Sequence, residues 1–154
     1  MDPQKTLEKW WEKREQEYPR LTETNHRDLP EKIKYLEGKG FDVCIIDTPG
    51  NVSSNAIESI NVADLFLVPS KATAPDLSEI GRTIATIKKK DKPIIFVLTQ
   101  IVPRTRNSIQ AMSILSKYGQ VAPNFLTNRQ SYGDVMGIGL SAADSDKNMA
   151  LFLF

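Results

Sequence analysis

The residues with the clearest chemical potential lie in one segment, 43–50, which reads Val-Cys-Ile-Ile-Asp-Thr-Pro-Gly. Its apolar start predicts a strand over Phe41–Asp47 that is buried on both faces and delivers Asp47 to its carboxyl end. A carboxylate at that place is typical of a Walker B motif, where it orients a water on a magnesium ion that bridges nucleotide phosphates. Gly50 would let the backbone approach a phosphate closely. A second interpretation stays open, in which Asp47 caps a turn that Pro49 and Gly50 form.

Apolar strands and amphipathic helices alternate along the rest of the chain. This alternation predicts an α/β fold with a mostly parallel sheet and helices on both of its faces. Two further strands are predicted over Leu65–Val68, which Pro69 ends, and over Pro93–Thr99. Because open parallel sheets bind ligands beyond the carboxyl ends of their strands, Ser70 and Gln100 join the carboxylate as candidate site residues.

Apolar residues spaced three and four apart predict the helices that connect these strands. The predicted helices span 5–18, 30–37, 53–61, 76–90, 108–117 and 132–137. Gly38-Lys39-Gly40 is expected to end the second helix, and Asp76 is expected to cap the fourth. The apolar stripes of the two helices that follow strands are Leu77, Ile80, Ile84 and Ile87 in one and Ile109, Met112 and Leu115 in the other.

Composition sets wider limits. The chain has 154 residues, which suits a single domain over 1–154. The formal net charge of +1 excludes a strongly basic nucleic-acid binder on bulk charge. A local basic patch stays open, since Lys88–Lys90 with Lys92 could contact phosphates or form a solvated helix end. One cysteine, Cys44, excludes an internal disulfide and is expected to be a packed thiol, and one histidine excludes a histidine-rich metal site.

The sequence contains no sign of a membrane-spanning or secreted protein. No apolar run approaches the roughly 18–20 residues that a span requires, and the first residues lack the apolar core of a signal peptide. We therefore expect no membrane span and a cytoplasmic location, with which the single cysteine is consistent.

Taken in order, the motifs resemble the ParA/MinD-type partition ATPases, nucleotide-binding proteins with a deviant Walker A motif. Segment 43–50 resembles the Walker B region of that family, and the other matches follow at similar spacing over nearly the whole chain. These other segments are Asp2-Pro3-Gln4, Val68-Pro69-Ser70 with Ala74-Pro75-Asp76-Leu77, Phe96-Val97-Leu98-Thr99-Gln100, and Arg129-Gln130-Ser131-Tyr132.

The resemblance implies a role for each matching residue. Asp2 corresponds to the acidic residue that positions the attacking water, and Asp47 to the carboxylate on the magnesium shell. Thr48 and Gly50 fall in the switch that senses the terminal phosphate. Gln100 falls near the adenine contact, where the family often has asparagine. The implied cofactors are ATP and Mg²⁺.

The family also implies a biological role. A complete member hydrolyses ATP, forms a homodimer around the nucleotide, binds DNA non-specifically, and works with a centromere-binding partition protein in plasmid or chromosome segregation. Arg104, Arg106 and Arg129 are candidate contacts for phosphate groups, including those of a DNA backbone.

The chain departs from the family at its start. The family begins with a strand and a Lys-Gly-Gly-x-Gly-Lys-Thr/Ser loop, and no such segment precedes Asp2. We therefore expect a P-loop-type sheet that lacks its first strand, in a domain incomplete at the N-terminus and also at the C-terminus. Three missing charge-assisted hydrogen bonds would cost about 4.5–9 kcal/mol, or about three to six decades of affinity for ATP.

Two alternatives follow from this departure. The chain could be a nucleotide-independent protein-interaction module that has kept the sheet and lost the chemistry. Asp47 and Gly50 also fit the Asp-x-x-Gly switch of GTPases, but Thr99-Gln100-Ile101-Val102 stands where an Asn-Lys-x-Asp motif would read guanine, so guanine specificity is not expected.

Overall fold

The computed structural model describes residues 5–48 and 54–145. The chain divides into two compact units, Met1–Ala63 and Asp64–Phe154, which we call the first unit and the second unit. Each unit has its own secondary structure and its own buried residues.

Helices make up the regular structure of the first unit. They are α1 (Thr6–Glu12), α2 (Leu29–Gly38) and α3 (Ser54–Val62). The bounds of α2 and α3 confirm the predicted helices to within one residue. As predicted, glycine ends α2: Gly40 has a φ of +83°, its N–H donates to Glu37 O at 2.9 Å, and the Phe41 N–H donates to Leu36 O at 3.2 Å.

The prediction of a helix as far as residue 18 was wrong, because α1 ends at Glu12. Two side chains of this region bond to the chain that follows instead of supporting another helical turn. Trp11 Nε1 donates to Pro19 O at 2.7 Å, and Arg14 Nε donates to Tyr18 O at 2.8 Å. These contacts favour an irregular segment that no local periodicity reveals.

The second unit is an α/β unit built around a parallel sheet. The sheet order is β1-β2-β3, and Phe66 is paired with Ile94 and Ile95 with Gln120. This confirms the predicted α/β class and the parallel strands, in a sheet of three strands among the described residues. The elements are β1 (Phe66–Ser70), α4 (Ala74–Lys88), β2 (Ile94–Leu98), α5 (Arg106–Leu115), β3 (Gln120–Val121), α6 (Gln130–Met136) and α7 (Ala142–Ser145).

The core of the second unit lies between this sheet and the helices α4 and α5. Phe96 at the centre of β2 is 0% exposed, and Ile87 and Leu98 are 2% exposed. The buried cluster consists of Val68, Ile80, Ile84, Ile87, Ile94, Phe96, Leu98, Ile101, Ala111 and Leu115. It contains three of the four residues predicted as the stripe of the long helix, and the fourth, Leu77, packs against it half-buried.

The predicted cap of α4 was wrong by three residues. Thr73 is the N-cap, and its Oγ1 accepts a hydrogen bond from the Asp76 N–H at 3.4 Å. Pro75 lies in the first turn, where its missing N–H costs nothing, so the helix starts before Asp76 and not at it.

The predicted buried side of α5 was also wrong in part. Leu115 is buried as expected, but Ile109 is 66% and Met112 39% exposed, and Ser108 and Ala111 face the core instead. The Ser108 hydroxyl can be buried because it bonds to Val102 O at 3.1 Å and lies 2.7 Å from Thr105 Oγ1. Small residues let the helix approach the sheet closely, which a count of large apolar residues misses.

Strand β1 continues through Pro69 instead of stopping before it. The Phe66 N–H donates to Pro93 O at 3.0 Å, and Ser70 O accepts from the Thr99 N–H at 2.7 Å. Alternate residues of β1 therefore bond to β2, and the ring nitrogen of Pro69 points to the other side. Because β1 is an edge strand of the described sheet, proline removes no ladder bond there.

The predicted strand over Phe41–Asp47 was wrong for the structure. Residues 41–48 have no regular secondary structure, Cys44 is exposed and not packed, and Val43 and Ile45 are 77% and 82% exposed. A strand buried on both faces needs a neighbouring strand to complete its hydrogen bonds, and no strand of the described residues pairs with this segment. Strand propensity does not by itself form a strand.

Among the described helices, none is both long enough and apolar enough to cross a membrane.

Candidate functional site

The carboxylate singled out by the sequence lies in the first unit, at the end of the irregular segment 41–48. Asp47 and Thr48 are both exposed. Asp47 lines a cavity of about 260 Å³ together with Cys44 from the same segment. Most of the wall is apolar and comes from Leu7, Leu21, Leu29, Ile33, Leu36 and Ile46.

Three of the charged residues that line this cavity interact with one another. Lys5 Nζ lies 2.8 Å from Glu8 Oε2 and 3.9 Å from Glu23 Oε1. The hydrogen bond from Lys5 lowers the pKa of the Glu8 carboxyl, and the same bond raises the pKa of Lys5. Lys32, which also lines the cavity, lies 5.6 Å from the centre of the Tyr35 ring. Both lysines that line the cavity therefore already interact with other side chains, so neither is reserved for binding a phosphate.

Size and chemistry decide what this cavity can hold. Its volume lies below the roughly 300–1,000 Å³ of sites for drug-sized ligands, and a nucleoside triphosphate is larger and more polar than the apolar wall accepts. Among the described residues, no group of three or more His, Cys, Asp or Glu side chains could hold a metal ion. Asp47 can supply one oxygen to a hydrated magnesium ion, but the described residues do not form a site for magnesium-ATP.

The second unit places two of the candidate residues on adjacent strands. Ser70 ends β1, is 5% exposed, and donates from its Oγ to Lys71 O at 2.9 Å. Gln100 follows β2 by two residues and is exposed. The parallel register pairs Ser70 with Leu98, so both positions lie at the carboxyl edge of the sheet, as predicted.

The loop after β2 has an unusual backbone. Gln100 and Arg104 have φ values of +52° and +60°, in the left-handed region that residues other than glycine seldom adopt. Ile101 between them is 3% exposed, and its N–H donates to Leu126 O at 3.0 Å. The neighbouring structure thus holds the loop in a conformation of the kind that clusters at functional sites. No sequence signal predicts it, because neither residue is a glycine.

The three candidate arginines belong to the second unit and are exposed. Arg104 lies in the loop after β2, and Arg106 begins α5. Arg129 Nε donates to Thr127 Oγ1 at 3.1 Å, and Thr127 is bridged to Ile101, so Arg129 also lies near the carboxyl edge. This edge is consequently basic, which suits an anionic ligand.

The remaining candidates fall outside the described residues or in different units. Asp2 and Gly50 lie outside the described residues. Asp47 and Thr48 belong to the first unit, whereas Gln100 belongs to the second. Sequence reasoning missed the cavity and its Lys5–Glu8 pair, although the spacing of three residues within a helix was a usable signal for the pair.

The fold defines the second unit as a parallel α/β unit with polar and basic residues at the carboxyl edge of its sheet. Comparison with known proteins found no family model that matches the chain and no curated protein that matches its sequence. The likeness to partition ATPases therefore depends on the motifs of the sequence alone.

Proposed function

We propose that the chain is a ParA/MinD-type partition ATPase domain with a P-loop-type fold, acting in plasmid or chromosome segregation. One observation carries the proposal. The segments that resemble the family's loops, Val68-Pro69-Ser70 and Thr99-Gln100, end adjacent parallel strands of one sheet. Ligands of open parallel sheets bind at that edge.

In this proposal each candidate residue has one task. Asp47 holds the shell of Mg²⁺, Asp2 positions the water, Thr48 and Gly50 sense the terminal phosphate, and Gln100 lies near the adenine. Bound magnesium would neutralise the charge that develops on the phosphates. Because the described residues offer no phosphate cradle, we expect the 154-residue chain to bind ATP only in the millimolar range or more weakly.

The test compares two proteins. Calorimetry should find weak or no binding of magnesium-ATP to the 154-residue chain. A longer protein that begins with a strand and a glycine-rich Lys-Thr loop should bind ATP and hydrolyse it with magnesium. In that protein Asp47→Ala should abolish hydrolysis, while Asp42→Ala, which removes a carboxylate of the same segment, should leave it. An inert longer protein would contradict the proposal.

The proposed partners follow from the same family: a second copy bound around the nucleotide, a centromere-binding protein and non-specific DNA. The exposed Arg104, Arg106 and Arg129 support contact with phosphates at the carboxyl edge. DNA binding there should weaken steeply as salt is added, because counterions are released on binding. A flat salt response would argue against it.

One observation favours a second candidate, a protein-interaction module that works without nucleotide. Val43 and Ile45 are 77% and 82% exposed, and large exposed apolar residues in one segment are typical of a binding surface. If the longer protein stays inert while the 154-residue chain binds a protein partner, and Val43→Ser with Ile45→Ser removes that binding, the module is the better description.

A further inference from the structure

Lysines are concentrated at the amino edge of the sheet in the second unit, the edge opposite Ser70 and Gln100. Each strand there begins next to a distinctive residue or cluster: Leu65 precedes β1, the run Lys88–Lys92 precedes β2, and Lys117 with Tyr118 precedes β3. We call this surface the lysine edge and define it by Leu65, Lys88, Lys89, Lys90, Lys117 and Tyr118.

Three contacts show that these strand beginnings lie side by side. The Phe66 N–H donates to Pro93 O at 3.0 Å, which joins the first beginning to the second. Lys88 Nζ lies 5.1 Å from the centre of the Tyr118 ring, which joins the second to the third. Gly119 passes so close to β2 that a Cβ there would lie 2.8 Å from Ile94 O. The lysine edge is thus one continuous surface.

The charge of this surface is strongly positive. Lys88, Lys89, Lys90 and Lys117 are all exposed, and they form no ion pair within the part of the chain that the structure describes. The acidic residues at the same edge are Asp64 and Asp91, and Lys92 has an interaction of its own. Four exposed lysines against two carboxylates favour an anionic partner.

Two large side chains with apolar surface, a leucine and a tyrosine, lie at the same edge and restrict the class of anionic partner that this surface fits. Leu65 and Tyr118 are each 45% exposed, beside the beginnings of β1 and β3. An exposed leucine gains no favourable contact from the charged phosphodiester backbone of a nucleic acid. At a lipid surface, by contrast, lysines meet anionic headgroups while leucine and tyrosine enter the boundary with the acyl chains.

We propose that the lysine edge binds peripherally to a membrane surface that carries anionic phospholipids. Lys89, Lys90 and Lys117 contact the headgroups, and Leu65 and Tyr118 enter the interface beside them. Binding of this kind is reversible and depends on the lipid charge. It does not rest on the proposed nucleotide chemistry, which concerns the other edge of the sheet.

The test uses the full 154-residue chain and co-sedimentation with vesicles. The chain should sediment with vesicles of phosphatidylcholine and phosphatidylserine but not with phosphatidylcholine alone. Lys89→Gln with Lys90→Gln should lower the apparent affinity about 25-fold, at about fivefold for each lysine. Lys71→Gln with Arg82→Gln removes the same charge from exposed positions elsewhere in the second unit and should leave binding nearly unchanged.

A second variant separates lipid from nucleic acid. Leu65→Ser should weaken vesicle binding severalfold without changing the charge, and circular dichroism should show that each variant stays folded. Equal losses in the two double variants, or no binding to either kind of vesicle, would overturn the proposal. Duplex DNA that displaces the vesicles, together with no effect of Leu65→Ser, would assign the lysine edge to nucleic acid instead and would overturn it as well.

Discussion

The two units differ in how their apolar residues are used. In the second unit, ten buried residues form one cluster between a parallel sheet and its connecting helices. Among the described residues of the first unit, the buried hydrophobic ones are Leu29 and Ile60, while Val43 and Ile45 are almost fully exposed. Apolar content alone does not explain the contrast, since residues 43–46, Val-Cys-Ile-Ile, are all apolar, as are the residues of β2.

The difference lies in the partners that each segment finds. Strand β2 has β1 on one side and β3 on the other, so its backbone bonds are completed and its side chains meet α4 and α5. Segment 41–48 has no neighbouring strand among the described residues. A β-sheet is a cooperative product of several segments, and an isolated one gains too little to offset its lost conformational freedom.

The largest expected effect comes from the centre of the second unit. Phe96→Ala should lower the free energy of unfolding by about 3–5 kcal/mol, because it leaves a cavity at a residue that is 0% exposed. Urea unfolding followed by circular dichroism measures the change. Ile45→Ser is the matched substitution in the first unit and should stay within about 0.5 kcal/mol of the parent.

Both tryptophans, Trp10 and Trp11, belong to the first unit, so their fluorescence follows that unit alone. Phe96→Ala should move the transition seen by circular dichroism more than the transition seen by fluorescence. A large loss of unfolding free energy for Ile45→Ser, or equal shifts of the two transitions, would contradict the difference in packing between the units.

A second prediction concerns the close approach of Gly119 to β2. Gly119→Ala would put a Cβ 2.8 Å from Ile94 O and 3.2 Å from Phe96 Cε2 and should destabilise the protein by about 1–3 kcal/mol. The control is Gly81→Ala in α4, where no atom lies within 4 Å of the new methyl group. That change should stabilise the helix by up to about 1 kcal/mol. Thermal unfolding of both variants compares them, and shifts of the same sign would count against the packing described for Gly119.

A smaller effect is expected at the start of α4. Thr73→Ala should cost about 1 kcal/mol, because the N-cap oxygen that accepts from the Asp76 N–H is lost. Ser78→Ala, at an exposed position of the same helix, should be neutral within about 0.5 kcal/mol. Chemical unfolding measures the difference between the two variants. A neutral Thr73→Ala would contradict the role of Thr73 as the stabilising cap and would favour the sequence-based prediction, Asp76.

The sequence predicts the second unit, and α2 of the first unit, well because the signals there are local and agree with one another. The apolar stripe of α4, the glycines after α2 and the alternation around β2 each depend on a few neighbouring residues, and tertiary packing acts in the same direction. The errors fall where packing adds information. Ser108 is buried only because Val102 O and Thr105 Oγ1 satisfy its hydroxyl.

The candidate site was predicted less completely than the fold. The positions of Ser70 and Gln100 at one edge follow from parallel strands, which periodicity reveals. The left-handed backbone at Gln100 and Arg104 does not, because it is imposed by contacts such as that between Ile101 and Leu126. The local environment of Asp47 was wrongly predicted for a related reason: a strand was inferred from residue types without the strands that would flank it.

The smallest expected effect tests the exposed Lys5–Glu8 pair that lines the cavity of the first unit. The hydrogen bond from Lys5 Nζ, 3.0 Å from Glu8 Oε1, holds the pKa of Glu8 below its ordinary 4.5. A carboxyl whose pKa is lower in the folded protein stabilises it above that ordinary value and loses this contribution as the pH falls through the lowered pKa. Lys5→Ala should therefore raise the pKa of Glu8 toward 4.5 and remove a small, salt-sensitive part of the acid dependence.

Titration by nuclear magnetic resonance measures the Glu8 carboxyl directly. Lys9→Ala is the control, since it removes the same charge from the adjacent residue, which does not face Glu8 on the helix. A shift in the control and none in Lys5→Ala would mean that the net charge of α1 sets the pKa of Glu8. The hydrogen bond from Lys5 would then not be the cause of the lowered pKa of Glu8.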